Sequence, residues 1–405
     1  MNYILFQIKT ALKNFGRAKA RTFLTSLGIL IGVLSVVILI ALGVGLRNYI
    51  EGQFASLGTN LIFIIPGNVL NENGQFQGGG ASSLGAIKFD ERDVVSLRRT
   101  PQVDLVVPLI SKQLKASADG QTKSASLFAG NEDLFPVFNF EIELGQVYTA
   151  SDVGKRSKVV VLGNKLAVDL FGDIQSAVGQ KIVVSDQRFS VIGVIKEKGG
   201  GGFGGPNYDQ GIFMPYTTAF TGISPEKTFS ALYLSANKNA DVTQVVEDAK
   251  TILGRRYKKD DFSVVKQTEI LNAITSIFSI INSVLLAIGS ISLVVGGIGI
   301  MNIMYANVTE RTKEVGIRRA IGATKRDVLM QFLVESVLLS LFGGVGGLLL
   351  AVIIVAIVQQ FFPLAINSTS VVAAIGISTG IGVFFGVFPA RRAANLAPIE
   401  AIRYE

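Results

Sequence analysis

The 405-residue sequence contains no cysteine, no histidine and no tryptophan. Without cysteine the chain forms no disulfide and offers no thiolate for metal binding or nucleophilic attack. Without histidine it lacks the commonest metal ligand and the side chain that most often acts as a general base near neutral pH, which excludes most metalloenzymes and catalytic triads. No other nucleophile and base stand in a recognisable pattern, so we expect that this chain is not an enzyme.

A phosphate-binding loop is missing as well. The motif G-x-x-x-x-G-K-[ST] occurs nowhere in the sequence. Two glycine-rich segments, 74–85 and 199–205, are not followed by Lys-Ser or Lys-Thr, and their composition predicts loops. The sequence therefore predicts no catalytic residue, no cofactor and no metal site in this chain. If ATP drives the protein, ATP and magnesium bind to a partner.

Long apolar runs are what the sequence has in abundance. Hydrophobic residues make up 49% of the chain and charged residues 17%, a balance typical of a large soluble region joined to a few membrane spans. Four apolar segments reach the length of about 20 residues that a transmembrane helix needs. We predict spans at 22–46, 277–308, 332–362 and 371–388. The first run is too long for a signal peptide, which favours a retained anchor.

The distribution of charge predicts the orientation of these spans. The net charge is +8, and Lys and Arg are concentrated in 1–21, 309–331 and 389–405, whereas the connection 363–370 has none. By the positive-inside rule both termini and the 309–331 loop are cytoplasmic, and 47–276 lies outside. The basic excess is thus a topology signal and not a nucleic-acid patch. Segment 1–21 is either an amphipathic helix on the inner leaflet or a basic flank.

The external region has the alternating patterns of a mixed α and β domain. Asp90 with Asp93, and Asp241 with Gln244, have the spacing of capped helix starts. A β-rich block at 142–220 interrupts the α/β pattern, so we expect one α/β subdomain with a β-rich insertion. The predicted strands are 60–65, 104–111, 124–129, 159–162, 181–184, 189–195, 211–215, 230–234 and 262–265. Apolar stripes at 46–57 and 270–281 predict that the first two spans continue outward as a helical stalk.

Small residues four apart recur in the spans and predict close helix packing. The pairs are Gly28/Gly32, Ser292/Gly296, Gly343/Gly347, Gly376/Gly380 and Gly382/Gly386. From these we take as packing residues Gly296, Gly297, Gly343 and Gly347. Packing within one chain and packing between two chains both remain open at this point.

The loop after the second span is dense in charge and has helical spacing. Glu314 and Arg318 stand one turn apart, a pair that contributes about 0.2–0.5 kcal/mol when exposed. Thr324 and Asp327 form a capping signature at the start of the next helix. An ordinary basic loop explains the same residues equally well. Glu335, an acid inside the third span, is a candidate functional residue, but its place near the basic loop favours a structural role through snorkelling or pairing.

Taken together, these segments are similar to the MacB/FtsX superfamily of ABC transporter permeases (type VII), in its MacB-like branch. The membrane-side matches are 296–304, 310–323, 331–335, 343–347, 388–394 and 398–401. The external matches are 145–148, 159–164, 170–173, 178–182 and 189–194. The resemblance implies four transmembrane helices and a large extracytoplasmic α+β domain, composed of a porter-like α/β subdomain with a β-rich Sabre-like insertion.

The resemblance also implies a coupling helix that docks on an ATPase. The residues at its position are Glu310, Arg311, Thr312, Lys313, Glu314, Val315, Gly316, Ile317, Arg318 and Arg319. The protein would lie in the inner membrane. ATP-driven motion of the ATPase would then move the stalk and the external domain, so that drugs, peptides or envelope molecules are exported or extracted. Lipoprotein release and FtsX-like activation of a cell-wall hydrolase are the alternatives.

The partners that follow from the resemblance are a separate ATPase subunit, a second permease copy, the lipid bilayer and an extracytoplasmic adaptor of the membrane-fusion type. We expect the ATPase to be a separate subunit because only about twenty residues precede the first span, whereas the archetypal family member has its ATPase domain there.

Overall fold

The structure is a computed structural model that describes residues 19–55, 60–69, 88–199 and 206–402. The prediction for 1–21 and the glycine-rich segments 74–85 and 199–205 fall almost entirely outside these residues. The chain divides into two compact units, a membrane unit (Met1–Tyr49 with Ile277–Glu405) and an α+β unit (Ile50–Ser276).

Four long apolar helices form the membrane unit, and each is long and apolar enough to cross a bilayer. They are α1 (Lys19–Ala55), α9 (Gln267–Glu310), α11 (Lys325–Val358) and α12 (Ser368–Ala394), with two short helices, α10 (Thr312–Ala320) and α13 (Pro398–Ile402).

The observed helices extend beyond the predicted spans at most ends, because hydrogen bonding along a helix does not stop where the apolar run stops. The third span is the exception at its C-terminal end. It was predicted to reach residue 362, but α11 ends at Val358. Pro363 follows closely, and a proline disfavours helical backbone in the residue before it.

The α+β unit contains ten strands connected by short helices. The strands are β1 (Leu61–Pro66), β2 (Val103–Ala118), β3 (Gln121–Gly130), β4 (Ile142–Gly145), β5 (Val159–Leu162), β6 (Lys181–Val184), β7 (Gln187–Ile195), β8 (Gly211–Pro215), β9 (Ala231–Ala236) and β10 (Phe262–Lys266). The helices are α2 (Glu91–Leu97), α3 (Leu134–Val137), α4 (Ala150–Lys155), α5 (Asn164–Phe171), α6 (Ile174–Ala177), α7 (Tyr216–Ala219) and α8 (Val242–Leu253). The strand order is β10-β1-β9-β2-β3-β8-β5-β7-β4.

Strand β2 belongs to both halves of this sheet. Its first half pairs with β9, and from Ile110 onward it pairs with β3. Strand β6 pairs with β7 on one side and with β2 at Ala116 and Ser117 on the other. The circuit β2-β3-β8-β5-β7-β6 therefore returns to β2, which makes a closed six-stranded barrel with no free edge among its members.

The barrel extends beyond the predicted β-rich block at 142–220. The barrel takes β2 and β3, at 103–130, from outside the predicted block, because β6 finds its second edge on β2. The capping prediction for Asp241 is only half right. Its side chain accepts from the Thr243 backbone N–H, but Gln244 bonds to Asp248 and not to the cap.

The capping prediction at Asp90 is confirmed, and the cap is part of a larger polar cluster. Asp90 and Asp93 form a reciprocal capping box, and the guanidinium of Arg256 donates two bonds of 2.9 Å to the Asp90 carboxylate. Arg256 also donates to Asp93, and the Tyr257 hydroxyl donates to Asp93 at 2.8 Å. The cluster therefore ties the start of α2 to the segment that follows α8.

Because the Arg256 side chain donates to its carboxylate, the pKa of Asp90 is lowered from 3.8 to about 2. A lowered folded-state pKa contributes stability above pH 4 that is lost as the pH falls toward 2. We expect Asp90→Asn, which keeps a capping side chain but does not titrate, to show a smaller loss of thermal stability across that window than the wild type. Thermal unfolding midpoints measured between pH 5 and 2 check this. If the midpoints of the variant and the wild type fall equally steeply with pH, the prediction is contradicted.

Candidate functional site

Helix α10, between the second and third spans, is too short to be stable alone. It has nine residues, whereas isolated helices below about 12 residues are marginal in water. Thr312, Val315 and Gly316 are buried, and their spacing of three and four places them on one face. The Thr312 hydroxyl also donates to the Val308 carbonyl oxygen at 3.0 Å. Burial of this inner face holds α10 in place.

Helix α10 begins two residues after the start of the predicted coupling segment. Glu310 is the last residue of α9, and Arg311 is the N-cap of α10 with φ −107° and ψ 12°. The helical backbone is interrupted at Arg311, which the charge pattern could not show. The remaining predicted residues, from Thr312 to Arg319, all lie in α10.

Two arginines join α10 to its surroundings. Arg318 donates from Nη2 to Glu314 Oε1 at 2.6 Å, the pair expected from the sequence. It also donates from Nη1 to Gln331 Oε1 at 2.6 Å. At the other end of α10, Arg311 Nη1 lies 3.7 Å from Glu335 Oε1. Both ends of α10 are therefore attached to side chains of α11.

The C-terminal segment also packs around α10. Helix α13 packs against α10, and Lys325 Nζ donates to Asn395 Oδ1 at 3.3 Å. The guanidinium of Arg392 lies 5.5 Å from the ring centroid of Tyr305, within cation–π range. The ends of α9, α11 and α12 thus meet around α10.

The outer face of α10 is uncovered by the residues that the structure describes. Lys313 and Glu314 are exposed on it, as expected for a polar face. Ile317 is 49% exposed and Ile321, just after the helix, is 81% exposed, as is Ile399 on α13. Isoleucines this exposed beside a basic surface are typical of a contact surface for another protein.

The predicted packing glycines lie on helix contacts within the chain. A Cβ added at Gly296 would lie 2.9 Å from the backbone of Gly28, and one at Gly297 would overlap the ring of Phe385. Along α1, Gly32 meets Leu293 and Gly43 meets Asn282. Because the contacted positions fall along α9 as they rise along α1, the two helices pack as an antiparallel pair.

Helix α11 contacts both α1 and α12 through small residues. A Cβ at Gly343 would lie 2.7 Å from the Ser26 carbonyl oxygen, and one at Gly347 would lie 2.6 Å from that of Leu30. On another face of α11, Ser336 donates to the Gly382 carbonyl oxygen at 2.9 Å. These three contacts require backbones close enough that larger side chains would not fit.

Helices α1 and α9 are also joined beyond the bilayer-length part. Gln267, the first residue of α9, donates from Nε2 to the Phe54 carbonyl oxygen at 2.6 Å, close to the last residue of α1. At 44 residues α9 is about 66 Å long at 1.5 Å per residue, more than twice the thickness of a bilayer core. Much of its length therefore lies outside the hydrocarbon.

Sequence reasoning anticipated a pairing of Glu335 with the basic loop, but it missed the bond between Arg318 and Gln331 and the packing of α13 on α10. The available signals were the spacing of Gln331 and Glu335, which places both on one face of α11, and Pro398, a residue favoured at the first position of a helix.

Two family models match this chain. The family described as the MacB-like periplasmic core domain matches residues 22–252, and the family described as the FtsX-like permease C-terminal matches residues 286–398. The macrolide export ATP-binding/permease protein MacB of Chlorobaculum tepidum is 35% identical over 98% of this chain and 61% of its own length. The protein of the same name from Pectobacterium atrosepticum is 34% identical over 98% and 60%.

The chain thus spans about three fifths of the length of these relatives. Among solved structures, the periplasmic region of MacB from Actinobacillus actinomycetemcomitans is 20% identical and covers 55% of this chain and 95% of its own, with a TM-score of 0.47. The extent of the family match confirms the predicted membership and architecture. The chain belongs to the MacB/FtsX family of ABC transporter permeases, with four transmembrane helices and a large extracytoplasmic α+β domain.

Proposed function

We propose that this chain transmits ATP-driven motion of an ABC ATPase to its extracytoplasmic domain, and that this motion exports or extracts drugs, peptides or envelope molecules. The relatives are named as combined ATP-binding and permease proteins for macrolide export. No phosphate-binding motif occurs in these 405 residues, so ATP and magnesium bind to an ATPase outside them. The chain itself then works as a mechanical element.

The observation that carries this proposal is the two-faced character of α10. Its inner face is buried in the permease, and both of its ends are held by α11. Its outer face presents Ile317 and Ile321 uncovered. A short helix that is attached to the permease on one side and presents exposed isoleucines beside charged side chains on the other is suited to receive a push from a docked partner.

The charge distribution supports a cytoplasmic location for this contact. Residues 309–331 and 389–402 are rich in Lys and Arg, which favours a cytoplasmic location for α10, α13 and both termini. An ATPase that uses cytoplasmic ATP meets α10 on that side. The outer end of α9, residue Gln267, then lies on the opposite side with the extracytoplasmic domain.

The stalk is the route for the motion. Helix α9 begins next to β10 and ends at Glu310, one residue before the cap of α10. Its antiparallel packing on α1, from Gly28 to Gly43, makes a pair of helices stiffer than either alone. We propose that movement of α10 displaces this pair along or across the bilayer and so reaches the extracytoplasmic domain.

A second permease copy and an extracytoplasmic adaptor belong to the same proposal. A Cβ added at Gly376 or Gly380 would meet no atom within 4 Å, so this side of α12 is open to lipid or to another permease. A dimer would give two coupling helices for the two ATPase subunits that ABC transporters use.

Ile321→Asp is expected to reduce, by about tenfold, the ATPase that co-purifies with the chain from its host membrane, because a charge in an apolar contact costs more than about 1.4 kcal/mol. Ile321 is almost fully exposed, so the permease should still fold. Membrane yield and elution volume of the variant check that it does.

The matched control is Val95→Asp, the same kind of change at a half-exposed valine on α2 of the extracytoplasmic domain. It should leave the co-purifying ATPase unchanged. If Ile321→Asp binds as much ATPase as the wild type, α10 is not the docking surface and this route of coupling is wrong.

A further inference from the structure

Glu335 is a buried acid near the start of a membrane helix. It is 3% exposed, and no other acidic residue follows it in α11. An acid in such a place is expensive unless a cation compensates it. Arg311 provides that cation at 3.7 Å. The pair therefore links the N-cap of α10 to the interior of the third span.

Arg311 lies at a position where α10 itself does not stabilise a cation. A cation at a helix N-terminus is unfavourable because the helix dipole is positive there, and α10 has no side-chain cap at this end. The carboxylate of Glu335 offsets the charge of Arg311. The N-terminus of α10 is thus held by α11 as well as by the burial of its own inner face.

The other end of α10 is held by the same helix. Gln331, one turn before Glu335, accepts from Arg318 at 2.6 Å. Arg311 and Arg318 are seven residues apart, two helical turns, so both reach toward one face of α11. We call Gln331 and Glu335 the α11 anchor.

We propose that the α11 anchor fixes α10 rigidly to the third span, so that a push on α10 moves α11 directly and not only through its chain connection to α9. This rests on the function proposed above. Gln331 and Glu335 are positioning residues: they do not contact the ATPase face, which is formed by Ile317 and Ile321.

Helix α11 is placed to pass that movement on. One residue after Glu335, Ser336 donates to the Gly382 carbonyl oxygen of α12 at 2.9 Å. Two turns later, Gly343 lies against Ser26 and Ile29 of α1. A displacement of α11 therefore reaches α12 and α1, which is the first stalk helix. The second stalk helix, α9, is reached through its chain connection to α10.

The absence of cysteine allows the anchor to be tested with site-specific labels in the full chain. The variants are Arg311→Gln, Glu335→Gln and the two combined, with Lys313→Gln as a control that neutralises an exposed cation of the same helix. Two label pairs are introduced as cysteines, Ala320 with Met330 to report the α10–α11 distance, and Lys238 with Thr369 to report motion of the extracytoplasmic domain. All four labelled positions are exposed.

The combined variant separates positioning from stability. Arg311→Gln alone leaves a buried unpaired carboxylate and should lower the thermal midpoint, whereas the combined variant removes both charges and should recover it. We expect the α10–α11 distance distribution to be narrow in the wild type and in Lys313→Gln, and broad in the combined variant. The ATP-dependent signal from Lys238 and Thr369 should fall about fivefold or more in the combined variant, while ATP hydrolysis is retained.

Two outcomes overturn the anchor itself. The first is a narrow α10–α11 distribution in the combined variant, and the second is a full ATP-dependent signal once its stability has recovered. A wild-type complex that hydrolyses ATP but gives no signal from Lys238 and Thr369 contradicts the proposed function, and the transmitting role of the anchor fails with it.

Discussion

Gly343→Leu is expected to prevent stable assembly of the membrane unit. A Cβ at this position would already lie 2.7 Å from the Ser26 carbonyl oxygen and 2.9 Å from Cβ of Ile29. The rest of a leucine side chain has no space, so α1 and α11 must separate. Overpacking of this kind costs about 1–3 kcal/mol and more where backbone must move. We expect a lower yield of folded protein and a thermal midpoint well below that of the wild type in detergent.

Gly376→Leu is the matched control for this prediction. It makes the same change in a membrane helix, but a Cβ at Gly376 would meet no atom within 4 Å. Its midpoint should equal or exceed that of the wild type, because replacing glycine in a helix removes a penalty of about 1 kcal/mol. Equal losses for Gly343→Leu and Gly376→Leu would show that the close contact between α1 and α11 does not exist.

Asp93→Ala is expected to destabilise the extracytoplasmic domain by about 3 kcal/mol, because a buried acceptor of several hydrogen bonds is lost and each buried donor left without a partner costs about 1–3 kcal/mol. Asp93 is 1% exposed and accepts from Arg256, from the Tyr257 hydroxyl and from the Asp90 backbone N–H at 2.9 Å. Without the Asp93 carboxylate, each of these three donors loses a hydrogen-bond acceptor. Thermal unfolding of the full chain, followed by circular dichroism, measures the change.

The control for Asp93 is an ion pair at the surface of the same domain. Lys196 donates to Glu141 at 3.0 Å, and both side chains are mostly exposed. Glu141→Gln should change stability by less than about 1 kcal/mol, the usual range for exposed pairs. If Asp93→Ala costs no more than Glu141→Gln, the buried cluster does not hold α2 to the rest of the domain.

Features that local chemistry determines could be predicted from the sequence. The four spans follow from the length of their apolar runs, and the caps at Asp90 and Thr324 follow from side chains that reach backbone groups two or three residues away. The pair between Glu314 and Arg318 follows from helical spacing. Each of these depends on residues within one continuous stretch of the sequence.

Features that depend on distant residues could not be predicted in this way. The barrel closes because β6 at 181–184 pairs with β2 at 116–117, a match that neither segment encodes alone. Glu335 was singled out as an acid in a span, but its partner depends on where α9 ends and α10 turns. The number of uncovered isoleucines around α10 likewise depends on the packing of α13, which short apolar patterns do not specify.

The most direct test of the central claim is the ATP dependence of the distance between the extracytoplasmic domain and the N-terminal end of α12. Dyes on cysteines introduced at Lys238 and Thr369, both exposed, report it by energy transfer in nanodiscs that contain the permease with its ATPase. We predict a reversible change on addition of ATP and magnesium, and its absence in the Ile321→Asp variant. Energy transfer that stays constant while the wild-type complex hydrolyses ATP would contradict transmission of motion through this chain.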